Sequence, residues 1–494
     1  MIHGTEKLIF EQGSVGRVGV DLPSAISEQE LNEALPKELR RGELVGFSEI
    51  SEPEMVRHYT RLSQRNVGID DTFYPLGSCT MKYNPRMNES VAGMKGFAQL
   101  HPAMPVWETQ GVFKMLWDLE QMLKEICGMD AFTLNPVAGS HGELTGLKII
   151  RAAIRARGEK RDKVLIPTSA HGTNPASSVL AGFTPVNIEV NPDGSVCLEA
   201  LKKVLDENVA AMMITNPSTL GLFEQNIKEI ADMLHEKGAY LYCDGANLNA
   251  LVGITRPGDM GFDVIQTNTH KTFSTPHGGG GPGSGPVGVK SELIPFLPYP
   301  RVQKIGHMNG GPDIYVPICS EHTIGRVHSY YGNFLVLLRA YVYLRTMGAL
   351  GLRDVAEASV LNANYLRVSL GELGYRVPFN RLCMHECLLT DENMPKGVTT
   401  MDIAKRLIDK GFHPMTVYFP MTVHDAMLIE PTETETKETL DSFIEAMRRI
   451  EIESHLFPQT LRDAPHITPI QRVDDVDANR PKNLNMRWKQ KQQQ

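Results

Sequence analysis

Apolar residues recur in two rhythms along this chain, and the rhythm changes with position. Between Val112 and Cys127 they fall three and four apart, with Met115, Leu116, Leu119, Met122, Leu123 and Ile126 on one face and Gly128 placed to end a helix. Beyond it, short continuous apolar runs alternate with helical stretches. Lys163–Pro167, Ala210–Asn216, Ala239–Asp244 and Asp263–Thr267 read as buried strands, and Ile227–Lys237 reads as a helix between two of them. That alternation predicts a parallel or mixed sheet covered by helices. Further on, Phe334–Thr346 and Val355–Leu373 predict long connecting helices. Cys383–Thr390 and Ala426–Glu430 predict strands, with helices at Thr400–Lys410 and Lys437–Glu453. Up to Pro105 the pattern is interrupted by Pro23, Pro36, Pro53, Pro75, Pro85, Pro102 and Pro105, which leave room only for short helical runs.

These elements predict an α/β chain in three parts: an N-terminal arm or cap over 1–110, a large domain over 111–332, and connecting helices with a smaller α+β domain over 333–494. The chain is polar from Asp463, and its end, Lys489–Gln494, is expected to fray. The 494 residues suffice for at least two packed domains, and the net charge of -8 argues against a nucleic-acid surface. Glu6, Lys7, Glu11 and Arg17 interrupt the first twenty residues, so no signal peptide is expected there. With no uninterrupted apolar run near the roughly 18 residues of a membrane span, the expectation is a cytoplasmic protein without a membrane segment. The seven cysteines include no CxxC pair. Cys383, His385 and Cys387 alternate and could share a strand face, but no fourth ligand follows at a typical spacing, and no metal site is expected.

The segment Thr267–Phe273 follows an apolar strand and precedes the glycine-rich run 278–288. It places Lys271 beside backbone that can approach a ligand closely. A lysine that forms a Schiff base needs surroundings that disfavour its charge; the alternative is a surface lysine next to a flexible loop. Asp244 ends an apolar strand, where α/β sheets set their ligand sites, and would suit a pyridinium nitrogen, although a strand-end aspartate also caps turns. Ser140 and His141 open a helix with Leu144, Leu147, Ile150 and Ile154 on its apolar face, and free amides at such a start bind phosphate. The turns His171–Pro175 and Thr215–Ser218 supply His171 to stack on a flat ring and Thr173, Asn174 or Asn216 to donate to a ring oxygen. Each alone is ordinary turn chemistry. Taken in order along one domain, they point to a pyridoxal 5'-phosphate site.

The chain also resembles a known family, the glycine-cleavage P-protein, in particular subunit 2 of its two-subunit form, glycine dehydrogenase (decarboxylating). The likeness spans Phe10-Glu11, residues 16–20, 74–85 (YPLGSCTMKYNP), 142–146 (GELTG), 171–177 (HGTNPAS), 244–247 (DGAN), 268–273 (NTHKTF), 329–334 (SYYGNF) and 430–434 (EPTET). The resemblance implies a fold-type I pyridoxal-phosphate-dependent transferase with a large mixed or parallel sheet. It implies an oxidoreductase, glycine dehydrogenase (aminomethyl-transferring), that decarboxylates glycine, releases carbon dioxide and passes the aminomethyl group to the lipoyl arm of the H-protein. It makes Lys271 the Schiff-base lysine, Asp244 the ring-nitrogen partner and His171 the stacking residue. Ser140 and His141 become part of the phosphate cradle, with Thr173, Asn216, Ala246 and His270 also near the cofactor. Ser78, Thr80 and Lys82 become candidate contacts near glycine. His270 and His171 are candidates for the general acid. The family also has a single-chain form with two similar halves, of which only the lysine-bearing half is present, so a subunit 1 partner in an α2β2 heterotetramer is expected. Alternative readings are another fold-type I enzyme, such as an amino-acid decarboxylase or aminotransferase, and a non-catalytic scaffold subunit of the same complex. A nucleotide-binding ATPase would need a P-loop sequence, which the glycine-rich run lacks.

Overall fold

The computed structural model of the chain describes residues 5–23, 26–42, 47–279, 281, 283–307 and 310–482. The end expected to fray, Lys489–Gln494, and two members of the glycine-rich run, Gly280 and Pro282, lie outside the described residues. Two compact units are present, Met1–Thr72 with Asp463–Gln494, and Phe73–Arg462. The first holds short helices such as Glu28–Ala34, where the Ser27 side chain and the Glu30 carboxylate cap each other's amides. Residues 73–110, expected with the arm, fall in the second unit.

The second unit is built on a seven-stranded sheet. Its strands are β1 (Ala131–Thr133), β2 (Lys163–Pro167), β3 (Thr184–Ile188), β4 (Val209–Thr215), β5 (Tyr240–Gly245), β6 (Val264–Thr267) and β7 (Val287–Val289), in the order β1-β7-β6-β5-β4-β2-β3. Pairings from β3 to β6 are parallel, and β7 runs antiparallel to both β6 and β1. β4 is buried along its whole length, because parallel strands need helices on both faces and so carry apolar side chains on both. The four strands expected from the apolar runs are present. β1 and β7 are three residues long and β3 (TPVNI) is half polar, so neither length nor alternation marked them.

Helix Gln110–Cys127 buries Phe113, Leu116, Leu119 and Leu123, and ends at Gly128 with φ of 67°, a left-handed cap that glycine adopts without penalty. Helix Gly139–Ala156 lies on the sheet with Leu147, Ile150 and Ile154 inward, and the Tyr242 ring fills the place where a side chain on Gly146 would sit. The two connecting helices expected here follow each other directly over Phe334–Glu372, separated by a kink where the backbone leaves helical geometry at Gly348 (φ 62°). The length and composition of this stretch would suit a membrane span, a feature the sequence reading did not anticipate. Its apolar residues instead join two cores, Leu337 and Leu338 in that of the sheet and Ala363, Leu366 and Leu370 in that of the smaller domain.

After the hairpin β8 (Arg301–His307) and β9 (Asp313–Ile318), the smaller domain forms a three-stranded antiparallel sheet. Its strands are β10 (Cys387–Thr390), β11 (Thr416–Val417) and β12 (Ala426–Ile429), in the order β10-β12-β11. Helices Thr400–Asp409 and Lys437–Leu456 cover it. The strand expected from Cys383 begins only at Cys387, so Cys383 and His385 precede it rather than sharing its face. The segment ahead of residue 80 also adds to this sheet: Leu76 bridges Ile429, and the Gly77 amide donates to the Leu428 carbonyl at 3.2 Å. A Cβ on Gly77 would collide with Leu428, side chain and backbone alike. Gly77→Ala is therefore expected to lower unfolding free energy by about 1–3 kcal/mol, the range for overpacking a filled site, read from urea denaturation.

Candidate active site

The carboxyl ends of β4, β5 and β6 set three side chains in a row, because the parallel register pairs Thr215 with Asp244 and Asp244 with Gln266. Asp244 is buried, and two donors reach each of its oxygens. Asn174 Nδ2 (3.0 Å) and Thr215 Oγ1 (3.3 Å) donate to Oδ2; the Ala246 amide (3.1 Å) and Gln266 Nε2 donate to Oδ1. Asn174, a candidate donor to a ring oxygen, serves this carboxylate instead.

Glu143, the fifth residue of helix Gly139–Ala156, is the second buried acid here. The Ser177 hydroxyl donates to its Oε2 at 2.8 Å, and the Thr173 hydroxyl lies 2.8 Å from its Oε1. Burial, reinforced by the Asp244 charge, pushes its pKa up to about 7. Thr173 Oγ1 is also 2.9 Å from His171 Nδ1, and the Thr173 amide donates to the same nitrogen at 3.2 Å. Burial lowers the His171 pKa against the opposing pull of Asp244, which favours the neutral ring.

Lys271 follows β6 in the turn begun by Asn268, and its Nζ donates to the Ser78 carbonyl at 2.8 Å. Ser78 and Thr80 both have positive φ, 64° and 49°. Two buried carboxylates hold this bent loop: the Ser78 amide donates to Glu386 Oε2 at 2.7 Å, and the Cys79 and Thr80 amides donate to Glu430 Oε2 at 3.0 and 2.7 Å. The Thr80 hydroxyl donates to Glu430 Oε1. His385 lies within the same cluster, its nitrogens without a hydrogen-bond partner among the described residues. Burial and the neighbouring Glu430 drive the Glu386 pKa well above the usual carboxylate range, and burial raises the Cys79 thiol to about 11.

The helix start packs against the lysine turn. The amides of Gly139, Ser140 and His141 precede the first helical bond, from Gly142 N–H to the Ala138 carbonyl, and have no partner within the helix. A Cβ on Gly139 would lie 2.6 Å from Asn268 Oδ1, so only glycine lets the two segments approach this closely. Ser140 is exposed, and His141 Nδ1 accepts from the Val137 amide at 3.2 Å. Asn216 accepts from the Glu224 amide, leaving its buried Nδ2 without a partner among the described residues.

Three expectations change. Lys82 does not face a substrate: its buried Nζ donates to Asn249 Oδ1, the Thr272 carbonyl, Tyr343 Oη and Glu433 Oε1. Thr80 is likewise spent on Glu430. For His270, burial, with His277 and Lys271 nearby, depresses the pKa to about 3, which disfavours the imidazolium that a general acid would need near neutrality.

The family model "Glycine cleavage system P-protein" matches residues 20–313, and "Glycine dehydrogenase, C-terminal domain" matches residues 355–465. A protein of Caldanaerobacter subterraneus subsp. tengcongensis named "Probable glycine dehydrogenase (decarboxylating) subunit 2" is 53% identical over 99% of this chain and 100% of its own. One of Thermococcus gammatolerans with the same name is 52% identical over 96% and 94%. The chain belongs to the glycine cleavage P-protein family. Among solved structures, an inhibitor-bound glycine decarboxylase (P-protein) of the glycine cleavage system superposes with a TM-score of 0.72 at 22% identity, covering 86% of this chain and 95% of that one. A Burkholderia pseudomallei sphingosine-1-phosphate lyase gives 0.61 at 16%, covering 86% and 98%. These likenesses show the fold, which is the fold-type I arrangement.

Sequence reasoning within this P-protein chain passed over Glu143, Gln266, Glu386 and Glu430. A signal existed for two of them. Glu143 stands on the apolar stripe of its helix, four residues before Leu147, and Gln266 is a polar residue inside an otherwise apolar strand. Glu386 and Glu430 meet the loop only through pairing of segments more than 300 residues apart.

Two measurements follow from these environments. A carboxyl whose pKa rises from 4.5 to about 7 on folding binds its proton more tightly in the folded state. Its stabilisation is complete below pH 4.5 and lost as pH rises to 7. Relative to Glu143→Gln, the wild-type unfolding free energy is expected to fall by about 3 kcal/mol across that window, read from urea titrations at several pH values. Lys82→Met leaves Glu433 without its cation and should cost about 3–5 kcal/mol, read from the same unfolding curves.

Proposed function

We propose that this chain is the pyridoxal 5'-phosphate-bearing subunit of a glycine-decarboxylating enzyme. It would act in the cytoplasm in an α2β2 assembly with a subunit 1 partner and a lipoylated H-protein. The full-length identity to relatives named glycine dehydrogenase (decarboxylating) subunit 2 carries the choice of substrate, and the buried acceptor at Asp244 carries the choice of cofactor. The residues fit that group. A caged carboxylate suits a pyridinium N–H, the Gly139, Ser140 and His141 amides that lack an intrahelical partner suit a phosphate, and Asn216 Nδ2, without a partner among the described residues, suits a ring oxygen. Thr173 and Ala246 hold His171 and Asp244 in place, and His171 is the residue for the ring face.

When bound, the cofactor supplies an electron sink for the bond that breaks at the glycine α-carbon. The carbon–carboxylate bond breaks, carbon dioxide leaves, and the electron pair forms a carbon–sulfur bond to one lipoyl sulfur. The disulfide opens, and the second sulfur takes a proton. Lys271 is the covalent attachment point, and the Ser78 carbonyl receives its amine when that attachment is exchanged for glycine. Glu386 and Glu430 hold that carbonyl in position by fixing the loop amides. The apolar packing around β4–β6 excludes water from the Asp244 end, where electrostatic interactions are then strongest.

The deciding experiment combines the purified chain with subunit 1 and the cofactor, records the visible absorption spectrum, then reduces with borohydride and maps the labelled peptide. The expected result is a visible band and a pyridoxyl label on Lys271, both absent in Lys271→Ala. Asp244→Asn is expected to lower kcat for glycine-dependent carbon dioxide release by about 10²–10³-fold, the scale of losing one preorganised electrostatic partner. No band and no label would discard the catalytic reading and favour a scaffold subunit.

A further inference from the structure

The contact between Glu143, Thr173 and His171 can be assigned hydrogen by hydrogen. Thr173 offers one hydroxyl hydrogen to two neighbours, Glu143 Oε1 at 2.8 Å and His171 Nδ1 at 2.9 Å. The Thr173 amide donates to the same Nδ1 at 3.2 Å. An N–H cannot donate to a nitrogen that carries its own hydrogen in that direction, so Nδ1 presents a lone pair. The hydroxyl must then also donate to Nδ1, or two lone pairs would face each other at 2.9 Å. That uses the only hydroxyl hydrogen, and the remaining short contact, Thr173 Oγ1 to Glu143 Oε1, requires a hydrogen from the acid.

We propose that Glu143 is a positioning residue, acting through the Thr173 hydroxyl to hold the His171 ring in one orientation and one neutral tautomer, Nδ1 accepting and Nε2 carrying the hydrogen. The surroundings agree. Glu143 is buried, and the groups facing it are Asp244 and Tyr242 from β5 and Thr173, Asn174 and Ser177 from helix Thr173–Leu180, with no cation among those that shift its titration. Asp244 already has four donors, whereas Glu143 has Ser177 on one oxygen and Thr173 on the other. The raised pKa of Glu143, about 7, keeps the acid form predominant at pH 6.5 and below. His171 thus turns an N–H, rather than a lone pair, away from the relay. The consequence for catalysis rests on the function proposed above; the tautomer does not, because it belongs to the chain without cofactor.

The test is nitrogen–proton correlation NMR of the full chain labelled with ¹⁵N-histidine, with His171→Asn as the assignment control. The wild type at pH 6.5 should show His171 with a pyrrole-type Nε2 and a pyridine-type Nδ1. Glu143→Gln, whose amide can donate to Thr173 as the acid does, should keep that pattern and hold it unchanged from pH 6 to 9. In the wild type the pattern should degrade as pH passes 7 and Glu143 ionises. Thr173→Val, which leaves Nδ1 only the longer backbone-amide contact at 3.2 Å, should lower the share of the Nδ1-accepting tautomer below that of the wild type, and Thr173→Ser should restore it. If Thr173→Val leaves the tautomer share equal to that of the wild type, or if the wild type shows a hydrogen on Nδ1 at pH 6.5, the relay is overturned. Either result stands whether or not Lys271 takes up cofactor, so it is separable from failure of the functional proposal.

Discussion

Taking the Asp244 carboxylate out of water is costly unless its lone pairs find donors. The protein meets that demand with the register of three parallel strands. Thr215 and Gln266 stand on either side of Asp244 because β4, β5 and β6 are paired without a slip at their carboxyl ends. Helix Thr173–Leu180 adds Asn174, and the turn adds the Ala246 amide. A one-residue shift of β5 would send the carboxylate to the opposite face of the sheet. The buried side chains of the same strands pack the sheet's two cores, so core packing and site chemistry depend on the same pairing.

A second pair of buried acids, Glu386 and Glu430, does for a loop what the strands do for Asp244. The 78–80 segment has backbone geometry unfavourable for its serine and threonine, and its amides cannot join a sheet. Two carboxylates accept those amides, so the bend that would otherwise strand them becomes stable. The loop's carbonyl at Ser78 is then fixed where the Lys271 amine reaches it. Lys82, four residues beyond, anchors the segment's far end among Asn249, Tyr343 and Glu433.

What the sequence made legible followed from local pattern. The strands Lys163–Pro167 and Val264–Thr267 and the helix at Gln110–Cys127 carry enough continuous or periodic apolar residues to be found within a residue or two. Asp244 and Lys271 stood out because one ends and the other follows such a strand. β1, β7 and β3 escaped notice because their pairing comes from neighbours rather than from their own composition. Lys82 illustrates the same limit: a lysine within a characteristic loop reads as a ligand contact until its partners, up to 351 residues away in sequence, are seen. The roles of Glu386 and Glu430 depend on the smaller domain meeting the 78–80 loop, a relation absent from any local window.

The Gly77–Leu428 junction carries a mechanical consequence. Residues 76 and 77 are in effect a short extra rung on β12, while the next carbonyl along the chain receives the lysine amine. No residue separates the rung from that acceptor, so the connection has no slack. The smaller domain and the lysine therefore share one taut tether, and a displacement of β12 of even an ångström must be absorbed either by the Ser78 bend or by the Lys271 contact itself.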